Sequence, residues 1–256
     1  MILTTFMITL AIVLIILTIT YWTRYKDQPI NIFSPVVSWI RAFIFFCSAL
    51  LLSWATGITS KLLTTPIATP EQLQDPQWIA WTAGCFLLIF VAYWVIWARW
   101  TQTFDRKQYL ITQIVFGIFW GFSVGQIFLI IWSFCCLFSF ALWIKWIIAY
   151  TLISLVMGLW QDLYWDVYVI PEHDTPWSLK WKVVCSHIPN MLFCLTYLAL
   201  YDNRLIFVIL QTFSLTGSAL FMRFPPFWEK RYITPPRTLP GLFNLPHAAG
   251  YVPEDE

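Results

Sequence analysis

Up to Met222 the chain is a succession of apolar runs of about 20 residues, each closed by a short charged or proline-bearing segment. A run of that length and character is what a helix needs to cross a bilayer. Only 11% of the residues are charged and 59% are hydrophobic, whereas a soluble domain carries about 25% charged residues. The formal charge of +2 is too small to point to nucleic acid. Lipid bilayer is therefore the expected environment, with no nucleic acid partner.

Residues 2–22 carry no charge and are followed at once by Arg24 and Lys26. They lack the basic start and small-residue cleavage site of a signal peptide and read as a first span. A second span is expected at 36–60, with Arg41 snorkelling from its first turns, and a third at 78–98, edged by tryptophans as in an interfacial belt. Between them, 61–77 carries Pro66, Pro70 and Pro76 and reads as a loop. The stretch 109–160 has one charge, Lys145, and is long enough for two spans joined by a hairpin near 133–139. Runs at 183–201 and 205–222 complete seven. Beyond Arg223 the prolines at 225, 226, 235, 236, 240, 246 and 253 prevent a long helix.

The expected fold is therefore all-α and polytopic, with seven transmembrane helices in residues 1–222 and a proline-rich extramembrane tail in 223–256. With the N-terminus outside and the C-terminus inside, twelve Lys and Arg fall on the inner side. Only Lys61, Lys145 and Arg204 fall outside, as the positive-inside rule requires. The fourth span carries Gly117, Gly121 and Gly125, glycines four apart that let a neighbouring helix approach closely. The alternative is room for a flat ligand, with Ser123 and Gln126 beside it. The six cysteines contain no CxxC pair and read as small apolar residues within the spans.

Chemistry concentrates in 158–190, GLWQDLYWDVYVIPEHDTPWSLKWKVVCSHIPN. Asp162 and Asp166, four apart, share a helix face. Glu172, His173 and Asp174 follow in a turn, and His187 and Asn190 open the next apolar run. Ionisable groups at membrane depth are costly and face one another or a cavity, and burial beside a second carboxylate makes Asp162 a proton donor. His187 or Asp166 is then the base, Asn190 orients a substrate oxygen, and Trp160, Tyr164 and Trp165 offer π faces to a developing cation. The plainer alternative makes the carboxylates solvated loop residues paired with Lys180 and Lys182, and His187 a structural histidine. Three histidines in all, one of them His247 in the tail, fall short of a histidine-rich metal cluster. No metal and no cofactor is expected. There is no GxSxG, Walker lysine or DDxxD, and the seventh run has no lysine for a retinal Schiff base.

The run Tyr164-Trp165-Asp166-Val167, with Glu172-His173 and then Asn190, resembles the emopamil-binding family of sterol isomerases. That family has a similar Tyr-x-Asp-Val run followed by Glu-His, and an asparagine on the next helix. It differs in carrying acidic residues and a histidine on earlier helices, where spans two and three here have none. In length and helix count the chain also resembles the small seven-helix terpene cyclases. Both resemblances imply protonation chemistry on a lipophilic isoprenoid. The expected function is a membrane enzyme performing acid–base cyclisation, isomerisation or epoxide opening on an isoprenoid or polyene. The alternative is a non-catalytic subunit or scaffold that binds membrane protein partners.

Overall fold

The computed structural model describes residues 31–33, 35–99, 107–163, 183–229, 232–234 and 252–253, with Thr4, Ile8 and Ile12. Of the first expected span, only these last three positions are described, each helical and exposed. The described helices are α1 (Pro35–Ala55), α2 (Ile58–Thr64), α3 (Pro70–Gln74), α4 (Pro76–Ile89), α5 (Trp97–Arg99), α6 (Leu110–Cys135), α7 (Leu142–Leu163), α8 (Ile188–Tyr201) and α9 (Arg204–Phe221). Two π-helical segments interrupt the pattern. Phe90–Ile96 joins α4 to α5 without a break, and Val183–His187 leads into α8.

Five stretches are long and apolar enough to cross a membrane: Ser38–Ala55, Pro76–Ile96, Leu110–Cys135, Val184–Tyr201 and Arg204–Phe221. The apolar part of α7, Leu142–Val156, is shorter. The protein is thus membrane-embedded, and its exposed side chains agree. Val36, Ile40, Phe43, Ile44, Leu51 and Trp54 form an outward apolar stripe on α1, recurring at the three- and four-residue spacing of one helix face. Lipid tails, unlike water, impose no penalty on such a stripe.

The helix α6 is the axis of the bundle. In its most apolar stretch 72% of the residues are buried, against 22% for Pro76–Ile96. It packs along its length on α9, and on α1 through Phe116, Phe119, Phe122 and Trp120, whose rings meet Trp39, Phe45 and Phe46. The expected hairpin is present as a turn over 136–141.

The ends of the helices sort into two groups. At one end, strand β1 (Asn31–Phe33) pairs antiparallel with β2 (Tyr232–Thr234), which pairs with β3 (Val252–Pro253). There Trp39 Nε1 donates to Pro225 O at 3.1 Å, and the Tyr109 hydroxyl donates to the Glu229 carboxylate. At the other end, Asn203 Nδ2 donates to Ile67 O at 3.0 Å, and Cys136 lies within the field of Lys145, Arg204 and Asp202. Arg41, Arg99, Lys107 and Arg223 therefore share the first end, and Lys61, Lys145 and Arg204 the second.

Two expectations are corrected. The span expected at 36–60 stops at Ala55, because Gly57 adopts a left-handed φ of 76° and breaks the helix. The loop expected at 61–77 contains the end of α2 and all of α3. Thr69 and Gln72 form a reciprocal capping box at the start of α3, and Asp75 caps α4 with proline at its first turn. The proline-rich tail, in which no long helix was expected, supplies two strands of the small sheet.

Candidate functional site

Both π-helical segments have a local cause or signature. Pro189 has no N–H to give to the carbonyl four residues back, and its ring crowds that carbonyl. The wider π turn of Val183–His187 lies immediately upstream. In the other segment, the Trp97 N–H reaches the Ala92 carbonyl five residues back, a π-type bond. That carbonyl also accepts from Ser186 Oγ at 2.9 Å, so the two π segments are fastened together. Such interruptions of regular helix are frequent at functional sites.

Where they meet, four side chains from three helical stretches form a chain. The Tyr93 hydroxyl lies 3.0 Å from His187 Nδ1. Asn190 Nδ2 donates to the Tyr93 oxygen at 3.1 Å and to Gln211 Oε1 at 3.3 Å, and Gln211 Nε2 returns a bond to Asn190 Oδ1 at 3.2 Å. The Tyr93 oxygen, which accepts from Asn190, either gives its own proton to His187 Nδ1 or accepts one from it, according to the imidazole tautomer. Tyr93, Asn190 and Gln211 are buried. The Cys85 thiol, which donates to the Phe193 carbonyl at 3.8 Å, and the Cys194 thiol adjoin this chain, close enough to influence each other, with Gln211 beside Cys194. Further along, Thr82 Oγ1 donates to the Tyr197 hydroxyl at 3.2 Å. His187, Asn190, Cys194 and Tyr197 thus line one face of the α8 span, each meeting a polar group of the 76–99 helix.

Of the residues singled out from the sequence, His187 and Asn190 are joined through Tyr93. Trp160 and Asp162 fall in the last turns of α7 by backbone position, and their side chains lie outside the described residues. Asp166, Tyr164, Trp165, Glu172, His173 and Asp174 also lie outside them. The helices α7 and α8 are in contact, as expected for consecutive spans. Both hydrogens of the Asn190 amide and its carbonyl are engaged by protein groups, so this arrangement makes Asn190 a positioning residue for Tyr93. Tyr93 and Gln211 were not singled out from the sequence. The signal available was a polar residue at every third or fourth position of 187–197, facing a matching series at Thr82, Cys85 and Tyr93.

Among the described residues no group of three or more His, Cys, Asp or Glu side chains is arranged to hold a metal ion. Every buried polar side chain there, aromatic residues and cysteines aside, is a Ser, Thr, Asn or Gln. Chemically, the cluster can hold one proton on either side of the Tyr93–His187 bond and fix the imidazole's orientation. No family model, no curated protein and no solved structure matches the chain.

Proposed function

We propose that the chain is a seven-span membrane enzyme, N-terminus outside and C-terminus inside, that performs proton-initiated isomerisation, cyclisation or epoxide opening on a lipophilic isoprenoid or polyene. The supporting observation is the Tyr93–His187 hydrogen bond, held between two π-helical segments at the head of the α8 span. Asp162, or Asp166 in its place, donates a proton to the alkene or epoxide, and Trp160, Tyr164 and Trp165 stabilise the cation. His187 takes the final proton, with Tyr93 fixing the ring and relaying charge.

The test is deuterium incorporation. Protein reconstituted in liposomes made with D2O is incubated with prenyl alcohols, polyenes and their epoxides, and the products are read by mass spectrometry. Deuterated product is expected from the unaltered protein. Asp162→Asn and His187→Gln should abolish it, and Tyr93→Phe should lower it roughly 100-fold, within the range for general acid–base catalysis. Absence of carbon-bound deuterium in every alkene product, together with absence of any ring-opened product from the epoxides, from folded protein, overturns the reading.

Orientation has its own test. Cys136 is exposed at the 136–141 turn and should react with an impermeant maleimide from the outer side of sealed membranes. Neighbouring protein atoms withhold part of the solvent from its thiol and chiefly for that reason raise it above the ordinary range, so labelling should accelerate with pH. Reaction only after permeabilisation would reverse the topology.

A second reading, a non-catalytic subunit, is favoured by one observation: the paired amides of Asn190 and Gln211 are what holds spans together in lipid. A stoichiometric membrane partner recovered by cross-linking, with no deuterium exchange, would support it.

A further inference from the structure

Trp94 follows Tyr93 in the π segment Phe90–Ile96 and is fixed by a different neighbour. Successive helical side chains diverge by about 100°, so that where Tyr93 reaches His187, Trp94 reaches α9. Its Nε1 donates to the Phe213 carbonyl at 3.2 Å. Its ring stacks on Phe213, with centroids 4.9 Å apart, and meets Phe221 edge-on at 6.1 Å. In a regular helix the Phe213 carbonyl takes the N–H four residues on, that of Gly217. The indole comes to the same carbonyl across the place where a side chain at 217 would stand. A Cβ on Gly217 would lie 2.4 Å from Trp94 Nε1 and 2.7 Å from both Cδ1 and Cε2, where ordinary contact begins at 3.4 Å. The bare backbone at Gly217 is therefore the seat of the indole.

Three consecutive residues are thus held from three sides. The Ala92 carbonyl is fastened to Ser186, the Tyr93 hydroxyl is bonded to His187 and Asn190, and Trp94 is keyed into α9. The atoms that a Cβ at 217 would strike belong to a rigid ring set against Phe213 and Phe221, not to the tip of a flexible chain. Relief has to move the Trp94 backbone, and with it Tyr93. The Tyr93–His187 contact, at 3.0 Å, has little slack, since hydrogen-bond geometry is lost beyond about 3.2 Å.

We propose that Gly217 is a positioning residue for Tyr93: by seating the Trp94 indole in α9 it sets the Tyr93 hydroxyl against His187 Nδ1. The effect on turnover rests on the proton-transfer reading of that bond. The effect on the bond itself does not.

The test reads the bond. Full-length protein labelled with nitrogen-15 histidine is reconstituted in nanodiscs, and the His187 Nδ1 resonance is identified by its loss in His187→Gln. Tyr93→Phe, which has no hydroxyl, gives the position of the signal when the bond is absent. Gly217→Ala should move the signal more than half of the way to that position. Trp94→Phe, which removes the Nε1 donor and keeps the glycine, should move it in the same sense but less. Gly84, on the same span as Trp94, has open space around it, so Gly84→Ala should leave the signal in place. An unmoved signal in folded Gly217→Ala protein, whatever its melting temperature, overturns the proposal and makes Gly217 a packing residue only. A shift in Gly84→Ala as large as that in Gly217→Ala overturns it too. If Gly217→Ala does not fold, Trp94→Phe decides, and an unmoved signal there is equally fatal. In the deuterium assay Gly217→Ala should lose about 100-fold, the cost of misplacing a reacting group by about 1 Å. No deuterium transfer by the unaltered protein would remove the catalytic reading and leave the resonance shifts standing, so the two proposals fail separately.

Discussion

The helix α6 meets α9 through missing side chains, whereas the 76–99 helix meets α8 through hydrogen-bonded ones. In the first seam a Cβ at Gly117 would lie 2.5 Å from Thr216 Cα, one at Gly121 2.6 Å from Thr212 Cα, and one at Gly125 3.2 Å from Val208 Cα. Thr212 and Thr216 turn their hydroxyls back onto their own helix at 2.8 and 2.7 Å, which removes polar atoms from the contact. In the second seam the side chains are large and polar, and regular helix gives way to π turns. The first is built to be close and invariant, as suits packing where no hydrophobic effect drives helices together. The second holds groups whose protons can move. They meet at Gln211: its backbone carbonyl is among the atoms that a Gly121 side chain would strike, and its amide holds Asn190. The packing seam therefore sets the position of the polar one.

This difference can be broken at its strongest point. Gly121→Ala should destabilise the protein by about 3 kcal/mol, the upper end for overpacking, because both atoms it meets first are backbone. Thermal unfolding in detergent would show it, and a loss below about 0.5 kcal/mol would mean the seam is looser than described. Asn190→Leu should cost about 1–2 kcal/mol, since it strands Gln211 and Tyr93 in apolar surroundings. Adding Gln211→Leu should cost less than its single effect. Strict additivity would mean that the amide pair is not coupled. Gly125→Ala should cost under about 1 kcal/mol, because a 3.2 Å approach needs a shift of only a few tenths of an ångström.

The smallest effect lies outside the membrane. Hydrogen bonding to Glu229 chiefly raises the Tyr109 phenol above its ordinary value. A phenol raised in the folded state stabilises below its unfolded value, about 10, and that contribution fades as pH rises through the folded value. Tyr109→Phe should flatten the pH dependence of thermal stability above about pH 10 and change little at neutral pH.

The glycine seam was legible because glycines at four-residue spacing in an otherwise bulky run have few other uses. The span boundaries were legible because charge and proline end them, although Gly57 ended α1 earlier than composition alone suggests. His187 and Asn190 stood out as polar groups in an apolar run. Tyr93 did not, because among 22 Phe, 17 Trp and 11 Tyr one more aromatic carries no information until its hydroxyl has a partner. Gln211 was equally silent, since its significance comes from Asn190, twenty-one residues away and across a turn. Which polar side chains find each other is a property of packing. The pattern of one helix announces only that it has a polar side.

The two-residue turn at Asp202–Asn203 has a consequence for how the protein is made. Val184–Tyr201 and Arg204–Phe221 are the least apolar of the five spans, and they carry Asn190 and Gln211. Entering the bilayer one at a time, each would bring a bare amide into hydrocarbon. Joined so tightly, with Asn203 capping α9 through the Ile206 N–H at 3.1 Å, they form a helical hairpin whose amides satisfy each other, and entry as one unit would spare both that cost. The two spans are thus suited to insertion as a single unit, and lengthening that turn would leave each helix to partition on its own weaker hydrophobicity.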